Sequence, residues 1–363
     1  MSKYKVAVYA ICKNEEKFVE RWYHSICDAD YIVVLDTGSE DHTLSKLKQY
    51  PIIVAQEIIT PFQFDKARNK ALEMVPSDAD ICISIDLDEV LTPNWYNELI
   101  NQWQLTTSAA YCRFVWHFNT DGSEDGVFWP MRIHTRHNFI WTHAIHEILT
   151  YTGNQPSSII YLKNFQFNHH PDPSKPRNYL KLLEETVKSS PNDARDLFYL
   201  GREYMYTGNW QSCIQTLSKY LMNPLSWNEE RSAALRFMAK SYLHLNQTSE
   251  AITHLEAAII EAPWARESYI DLAYIYYAQS NWQKTAEYVH KALSITKPSE
   301  TFINDGYAWD ATPYDLGCIA YFHLKNYALS LACAYKCLEF SPNEQRFVQN
   351  AKWIQNYILS QSF

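Results

Sequence analysis

Four short apolar runs, VAVYAI (6–11), YIVVLD (31–36), PIIVAQE (51–57) and ICISID (81–86), constrain residues 1 to about 90 more than any other feature. Each is followed by polar, helix-compatible sequence, the alternation of βαβ units, which predicts a doubly wound, mainly parallel sheet. Ligands of such sheets bind outside the carboxyl ends of the strands, so chemistry should collect just after each run. The first run is followed by Cys12-Lys13-Asn14-Glu15, the second ends at Asp36-Thr37-Gly38-Ser39, and the fourth ends at Asp86-Leu87-Asp88-Glu89. Acidic groups therefore converge on one edge.

From 109 to 170 the texture changes to aromatic-rich alternating segments, YCRFVWHF, GVFWPMRIHTR and IIYLKNFQFNHH, separated by turn sequences such as DGSEDG and TGNQPSS. These predict added, antiparallel strands. PDPSKP (171–176) carries three prolines, through which neither helix nor strand continues, and it sets an expected boundary between domains at 1–172 and 177–363. Beyond it the sequence is helical. Small residues recur at Gly201, Ala239, Ala273 and Gly317, each followed by a tyrosine (Tyr204, Tyr242, Tyr276, Tyr321), and helix pairs end near Pro263, Pro298 and Pro342. That pattern resembles imperfect tetratricopeptide repeats, with an inserted loop at TFINDGYAWD (301–310).

Apolar residues make up 47% of the 363 and charged residues 20%, enough burial for two globular domains. The formal charge of −9, with no basic run to track a phosphate backbone, argues against a nucleic-acid partner. Eight cysteines are scattered without a CxxC pair, which argues against a zinc site. Lys3 and Lys5 lead into VAVYAI with no small-residue cleavage site, and no stretch approaches 18 consecutive apolar residues, so the expectation is a cytoplasmic protein with no transmembrane segment.

Two carboxylates two residues apart on an extended segment point the same way, so Asp86 and Asp88 can bridge a divalent ion to a diphosphate; a helix-capping turn is the plainer reading of such a triplet. Its company favours the former. Asp36-Thr37-Gly38-Ser39-Glu40-Asp41-His42-Thr43 resembles the D-x-G-S-x-D-x-T of the family 2 glycosyltransferases, whose fourth strand ends in Asp-x-Asp. Lys13-Asn14-Glu15 and Ala67-Arg68-Asn69 fit the same resemblance. It implies an N-terminal α/β domain of the GT-A fold, Rossmann-like, ahead of an all-α tetratricopeptide-like domain. It further implies a nucleotide-sugar donor with Asn14, Glu15 and Asp36 at base and ribose, Asp86 as a further donor contact, and a catalytic Asp88 on a metal, Mn²⁺ or Mg²⁺. Arg68 becomes a nucleotide contact, its alternative being an exposed helix-face charge.

Trp141-Thr142-His143-Ala144-Ile145-His146-Glu147 combines titratable groups with an aromatic surface in a strand-like region. It resembles a family 2 branch that includes lipopolysaccharide-core glucosyltransferases and the repeat-containing enzymes that modify bacteriocin peptides, in which an Arg precedes a terminal His-Glu. The resemblance implies Arg132 on the diphosphate, His146 as a further metal or phosphate ligand, a final metal ligand from His169-His170, taken as His170, and Glu147 as general base; an Arg132–Glu147 ion pair and a solvent-exposed histidine pair are the structural alternatives. Glu124-Asp125, in what reads as a hairpin turn, supplies the rival base Asp125, and Trp116, Trp129 and Trp141 are candidate sugar platforms. The chain is thus expected to be an inverting hexosyltransferase using a UDP-hexose, or less readily a GDP-sugar, on a saccharide or peptide acceptor that the repeats help to hold. A homo-oligomer fits the same repeats. The alternative is a catalytically inactive, nucleotide-sugar-binding repeat scaffold.

Overall fold

The structure is a computed structural model and describes residues 4–119, 122–175, 179–223, 226–299, 301 and 303–361. The chain divides into two compact units, Met1–Tyr179 and Leu180–Phe363.

The first unit runs β1 (Val6–Cys12), α1 (Val19–Ile26), β2 (Tyr31–Asp36), α2 (Thr43–Leu47), β3 (Ile53–Gln56), α3 (Phe64–Met74), β4 (Ile81–Ser84), β5 (Glu89–Leu91), α4 (Trp95–Gln102), β6 (Ala109–Phe118), β7 (Glu124–Phe128), β8 (Met131–Thr135), β9 (Phe139–Thr142), β10 (Ile148–Tyr151) and β11 (Ile159–His169). The strands form a sheet in the order β3-β2-β1-β4-β8-β6-β11-β5, with β7 on β6. The first four are parallel. β1 is buried at all seven positions because helices or the hairpin cover both faces, and an inner parallel strand is then apolar throughout rather than alternating. One face packs on Trp22 and Ile26 of α1 and Trp95 and Leu99 of α4; the other packs on Ala67 and Ala71 of α3 and on Trp141 and Leu149 of the β9–β10 hairpin.

The added strands are not uniformly antiparallel as their pattern suggested. β8 pairs antiparallel with β4 and β6, but β11 runs parallel to β6, and β9–β10 make a separate two-stranded sheet. Because the order reverses between β1 and β4, the crevice at their carboxyl ends is the switch point where doubly wound sheets bind ligands.

The second unit is helical: α5 (Leu180–Ser189), four antiparallel pairs α6–α7 (Ala194–Tyr206, Trp210–Leu221), α8–α9 (Asn228–His244, Thr248–Glu261), α10–α11 (Arg266–Ala278, Trp282–Ser294) and α12–α13 (Thr312–His323, Tyr327–Phe340), then α14 (Gln345–Ser360). The recurring small residues mark the crossings within the pairs. A Cβ on Gly201 would lie 2.3 Å from Leu217 of α7, and one on Gly317 3.2 Å from Cys333 of α13. Within the inserted segment Tyr307 donates to Asp271 (2.6 Å) and Trp309 to Glu267 (3.0 Å), both on α10. Among the described residues no helix is long and apolar enough to cross a membrane.

Candidate active site

The loops after β1 and β2 are laced into one surface. Asp36 Oδ1 accepts from the Gly38 and Ser39 N–H groups (2.9 and 2.8 Å) and from the Gln56 amide (2.9 Å). Burial opposes its ionisation, but these donors outweigh that and hold the Asp36 carboxyl below the usual carboxylate range. Gly38 sits at φ +107°, and a Cβ there would also press on Ile58 at 3.2 Å, so the turn requires glycine. Across the gap the Asn14 N–H donates to Ser39 Oγ (2.8 Å), the Glu40 N–H to Asn14 Oδ1 (2.8 Å) and the Glu15 N–H to Thr43 Oγ1 (2.7 Å). Glu15 Oε1 pairs with Lys175, while Oε2 is buried with no partner among the described residues. Burial raises the Glu15 carboxyl, Lys175 opposes the rise, and Asp88 and Asp86 add to it, so all three loops share one electrostatic rim.

The Asp-x-Asp does not lie on an extended segment. β4 ends at Ser84, and the Glu89 N–H closes a turn on the Asp86 carbonyl at 3.0 Å, which gives the two carboxylates different surroundings. Both Asp86 oxygens are taken by Arg68 (2.8 and 2.9 Å), with Arg132 3.7 Å away. Burial works against its charge, but Arg68 outweighs it and holds the Asp86 carboxyl low. Arg68 is only 4% exposed, so it is not a solvated helix-face charge. Asp88 has no guanidinium on it among the described residues and is 25% exposed; its Oδ2 lies 3.3 Å from His169 Nε2. Burial lowers the His169 imidazole, but the Asp88 carboxylate raises it further.

Glu89, to which the sequence reading gave no role, is buried beneath the turn. Its Oε2 accepts the Asp86 N–H at 2.9 Å and its Oε1 faces Arg132 at 3.5 Å. Its carboxyl is pushed up to about 7, chiefly by burial, which Arg132 opposes and Asp86 and Asp88 reinforce. Three acidic residues in four were visible in the sequence; that the third points inward was not, because the turn sets its direction.

Glu147 pairs with Arg68 Nε rather than with Arg132, whose partners are Asp86 and Glu89. Arg132 Nη1 is buried without a hydrogen-bond partner among the described residues. The segment 143–147 is not strand but the turn between β9 and β10, with His143 and His146 at φ +73° and +53°. The His146 ring lies 6.1 Å from that of Tyr179. His170 stacks on Phe118 (5.4 Å) and its main-chain N–H donates to the Asp88 carbonyl at 2.8 Å, so it is the ring of His169, not that of His170, that meets the Asp88 carboxylate. Burial lowers the His170 imidazole. Glu124 and Asp125 open β7 rather than sitting in the turn; Glu124 pairs with Arg113, and the Asp125 side chain falls outside the described residues. Of the three tryptophans, Trp141 is buried under Arg68, Trp129 lies near Tyr161, and Trp116 is 44% exposed with its ring 4.5 Å from that of His169. A shallow cavity of about 340 Å³ is lined by Leu35, Gln56, Glu57, Lys70 and Glu73 among others; none of Asp36, Asp86 and Asp88 lines it.

A β3-β2-β1-β4 parallel core with mixed added strands and an acidic crevice at its switch point, joined to paired helices, defines a GT-A-type α/β domain followed by tetratricopeptide-like repeats. Residues 7–152 match glycosyl transferase family 2, and residues 175–258 match anaphase-promoting complex, cyclosome, subunit 3. The first unit thus carries a family 2 glycosyltransferase domain. Two curated relatives, the SPbeta prophage-derived glycosyltransferase SunS of Bacillus subtilis (strain 168) and glycosyltransferase SunS of Bacillus phage SPbeta, are each 24% identical over 277 residues. That stretch covers 70% of this chain and only 62% of either relative. Among solved structures, MamA is 20% identical with a TM-score of 0.37, over 46% of this chain and 89% of MamA. A thermophilic TPR protein of Thermus thermophilus is 15% identical with a TM-score of 0.35, over 48% of this chain and 88% of that one.

Proposed function

We propose that the protein is an inverting, metal-dependent glycosyltransferase that moves a hexose from a UDP-sugar to a saccharide or peptide acceptor, in the cytoplasm. The observation that carries this reading is the unequal Asp-x-Asp: Asp86 is consumed by Arg68, whereas Asp88 is free of guanidinium among the described residues, partly exposed, and backed by an imidazole at 3.3 Å. The Asp88 carboxylate suits Mn²⁺ or Mg²⁺, and an imidazole beside it, with His170 one residue on and His146 as the further candidate, would suit Mn²⁺ better than Mg²⁺. Bound there, the cation neutralises the negative charge that a nucleoside diphosphate gains as the sugar–oxygen bond breaks.

The chain's own groups do the rest. Asp36, Asn14 and Glu15 hold base and ribose. Arg132 Nη1, buried without a hydrogen bond among the described residues, turns to a phosphate oxygen. Arg68 engages Glu147 through Oε1 and leaves Oε2 to take the proton of the attacking acceptor. Trp116 lies where a sugar face can stack.

The test is release of nucleoside diphosphate from a panel of UDP- and GDP-hexoses with Mn²⁺ or Mg²⁺, with and without chelator. The expected result is metal-dependent release from a UDP-hexose. Binding without release favours the nucleotide-sugar scaffold, and neither release nor binding of any member rejects both readings.

A further inference from the structure

Glu147 and Arg68 reach each other from two pieces of chain that no main-sheet ladder connects. Arg68 is on α3, while Glu147 follows β9 on a two-stranded hairpin separate from the nine-stranded sheet. An isolated hairpin is marginal in water, and the turn that presents Glu147 holds two histidines in left-handed backbone conformations. Such residues persist only where surroundings over-determine them.

The surroundings here converge on the residue next to Arg68. Asn69 Nδ2 donates to the Trp141 carbonyl and Asn69 Oδ1 accepts the Trp141 N–H, both at 2.8 Å, so one side chain pairs with β9 as a neighbouring strand would. Farther along, the Phe64 N–H of α3 donates to the Ala144 carbonyl at 2.9 Å. The Trp141 indole N–H is tied to Tyr9 of β1 at 2.7 Å, and its ring lies 5.2 Å beneath the Arg68 guanidinium. Tyr9 in turn meets His134 at 2.8 Å in the core. Asn69 is the one side chain on α3 that grips both main-chain groups of a single hairpin residue among the described contacts.

We propose that Asn69 is a positioning residue: it fixes the 139–151 hairpin on α3 and so sets the place of Glu147 over Arg68 and Asp86. This rests on the reading of Glu147 as base. Replacing Asn69 by alanine leaves two main-chain groups of buried Trp141 without partners and frees the turn, and small misplacements of a catalytic group are costly.

The test is a double-mutant cycle on donor turnover, with Asn69→Ala, Glu147→Gln and the pair, alongside hydrogen exchange of the full chain. Asn69→Ala is expected to lower kcat about tenfold or more with donor KM within about twofold, and to add less than about twofold on the Glu147→Gln background. Amide exchange should quicken in 139–151 and not in β1 to β4. A kcat within about twofold of wild type, an equal loss on both backgrounds, or an unchanged hairpin exchange overturns the proposal. Should Asn69→Ala not fold, Asn69→Asp, which keeps the oxygen for the Trp141 N–H, is judged by the same criteria. A wild-type chain that turns over no donor defeats the reading of the previous subsection, and hydrogen exchange then decides the role of Asn69 by itself.

Discussion

The two halves of the acidic rim are built on different principles. After β1 and β2, carboxylates and hydroxyls accept main-chain N–H groups: Asp36 from Gly38 and Ser39, Ser39 from Asn14, Thr43 from Glu15. After β4, carboxylates meet guanidinium groups: Asp86 with Arg68, Glu89 with Arg132, Glu147 with Arg68. The first half is a loop lattice, fixed by bonds that no ligand need replace. The second is an ionic chain in which each charge depends on its neighbour, and Asp88 stands outside it, facing a histidine. A motif residue can thus be present for the loop it holds, as Ser39 and Thr43 are, while its neighbour in the same rim is left to bind.

The sharpest way to break this contrast is to remove Arg68. Arg68→Ala leaves Asp86 and Glu147 uncompensated in a largely desolvated place, and the expected cost is about 3 kcal/mol, read by urea denaturation of the full chain. An unchanged midpoint would mean that the ionic half is not interdependent. A smaller effect is expected from Asp36→Asn, because the amide oxygen still accepts the Gly38 and Ser39 N–H groups and only the charge is lost; about 1 kcal/mol at pH 7 follows. Its pH dependence sharpens the comparison. The folded Asp36 carboxyl lies below its unfolded value of about 3.9, so its contribution is fully present above that value and is lost as pH falls through the folded one. Wild type and Asp36→Asn should therefore converge in stability as pH falls through the folded value of Asp36. If Asp36→Asn proved the costlier of the two, the ranking of the two halves would be reversed.

Much of this architecture was legible in the sequence because burial on both faces makes inner strands continuous apolar runs; β2 begins and ends where YIVVLD does. The direction of β11 was not, since an aromatic alternating strand reads alike whether its neighbour runs parallel or antiparallel. The repeats were visible through Gly201 and Gly317, where close helix crossing leaves no room for a side chain at the first and little at the second. At the site, sequence placed the acidic residues on one edge but not their partners. Arg68 and Glu147 meet across 79 residues, a pairing set by how the β9–β10 hairpin lies on α3. His169 and His170 are neighbours in sequence with rings in different surroundings, and only the pairing of His169 with Glu89 across β11 and β5 says which ring meets Asp88.

The proposed role of Asp88 is to hold a cation that would supply positive charge to a bound nucleoside diphosphate. Calorimetric titration of UDP in the presence and absence of Mn²⁺, on wild type and Asp88→Ala, tests it most directly. The account predicts Mn²⁺-dependent binding to wild type, weakened at least about a hundredfold in Asp88→Ala, with metal-free binding the same in both. Equal Mn²⁺-dependent affinity in the two proteins would contradict it.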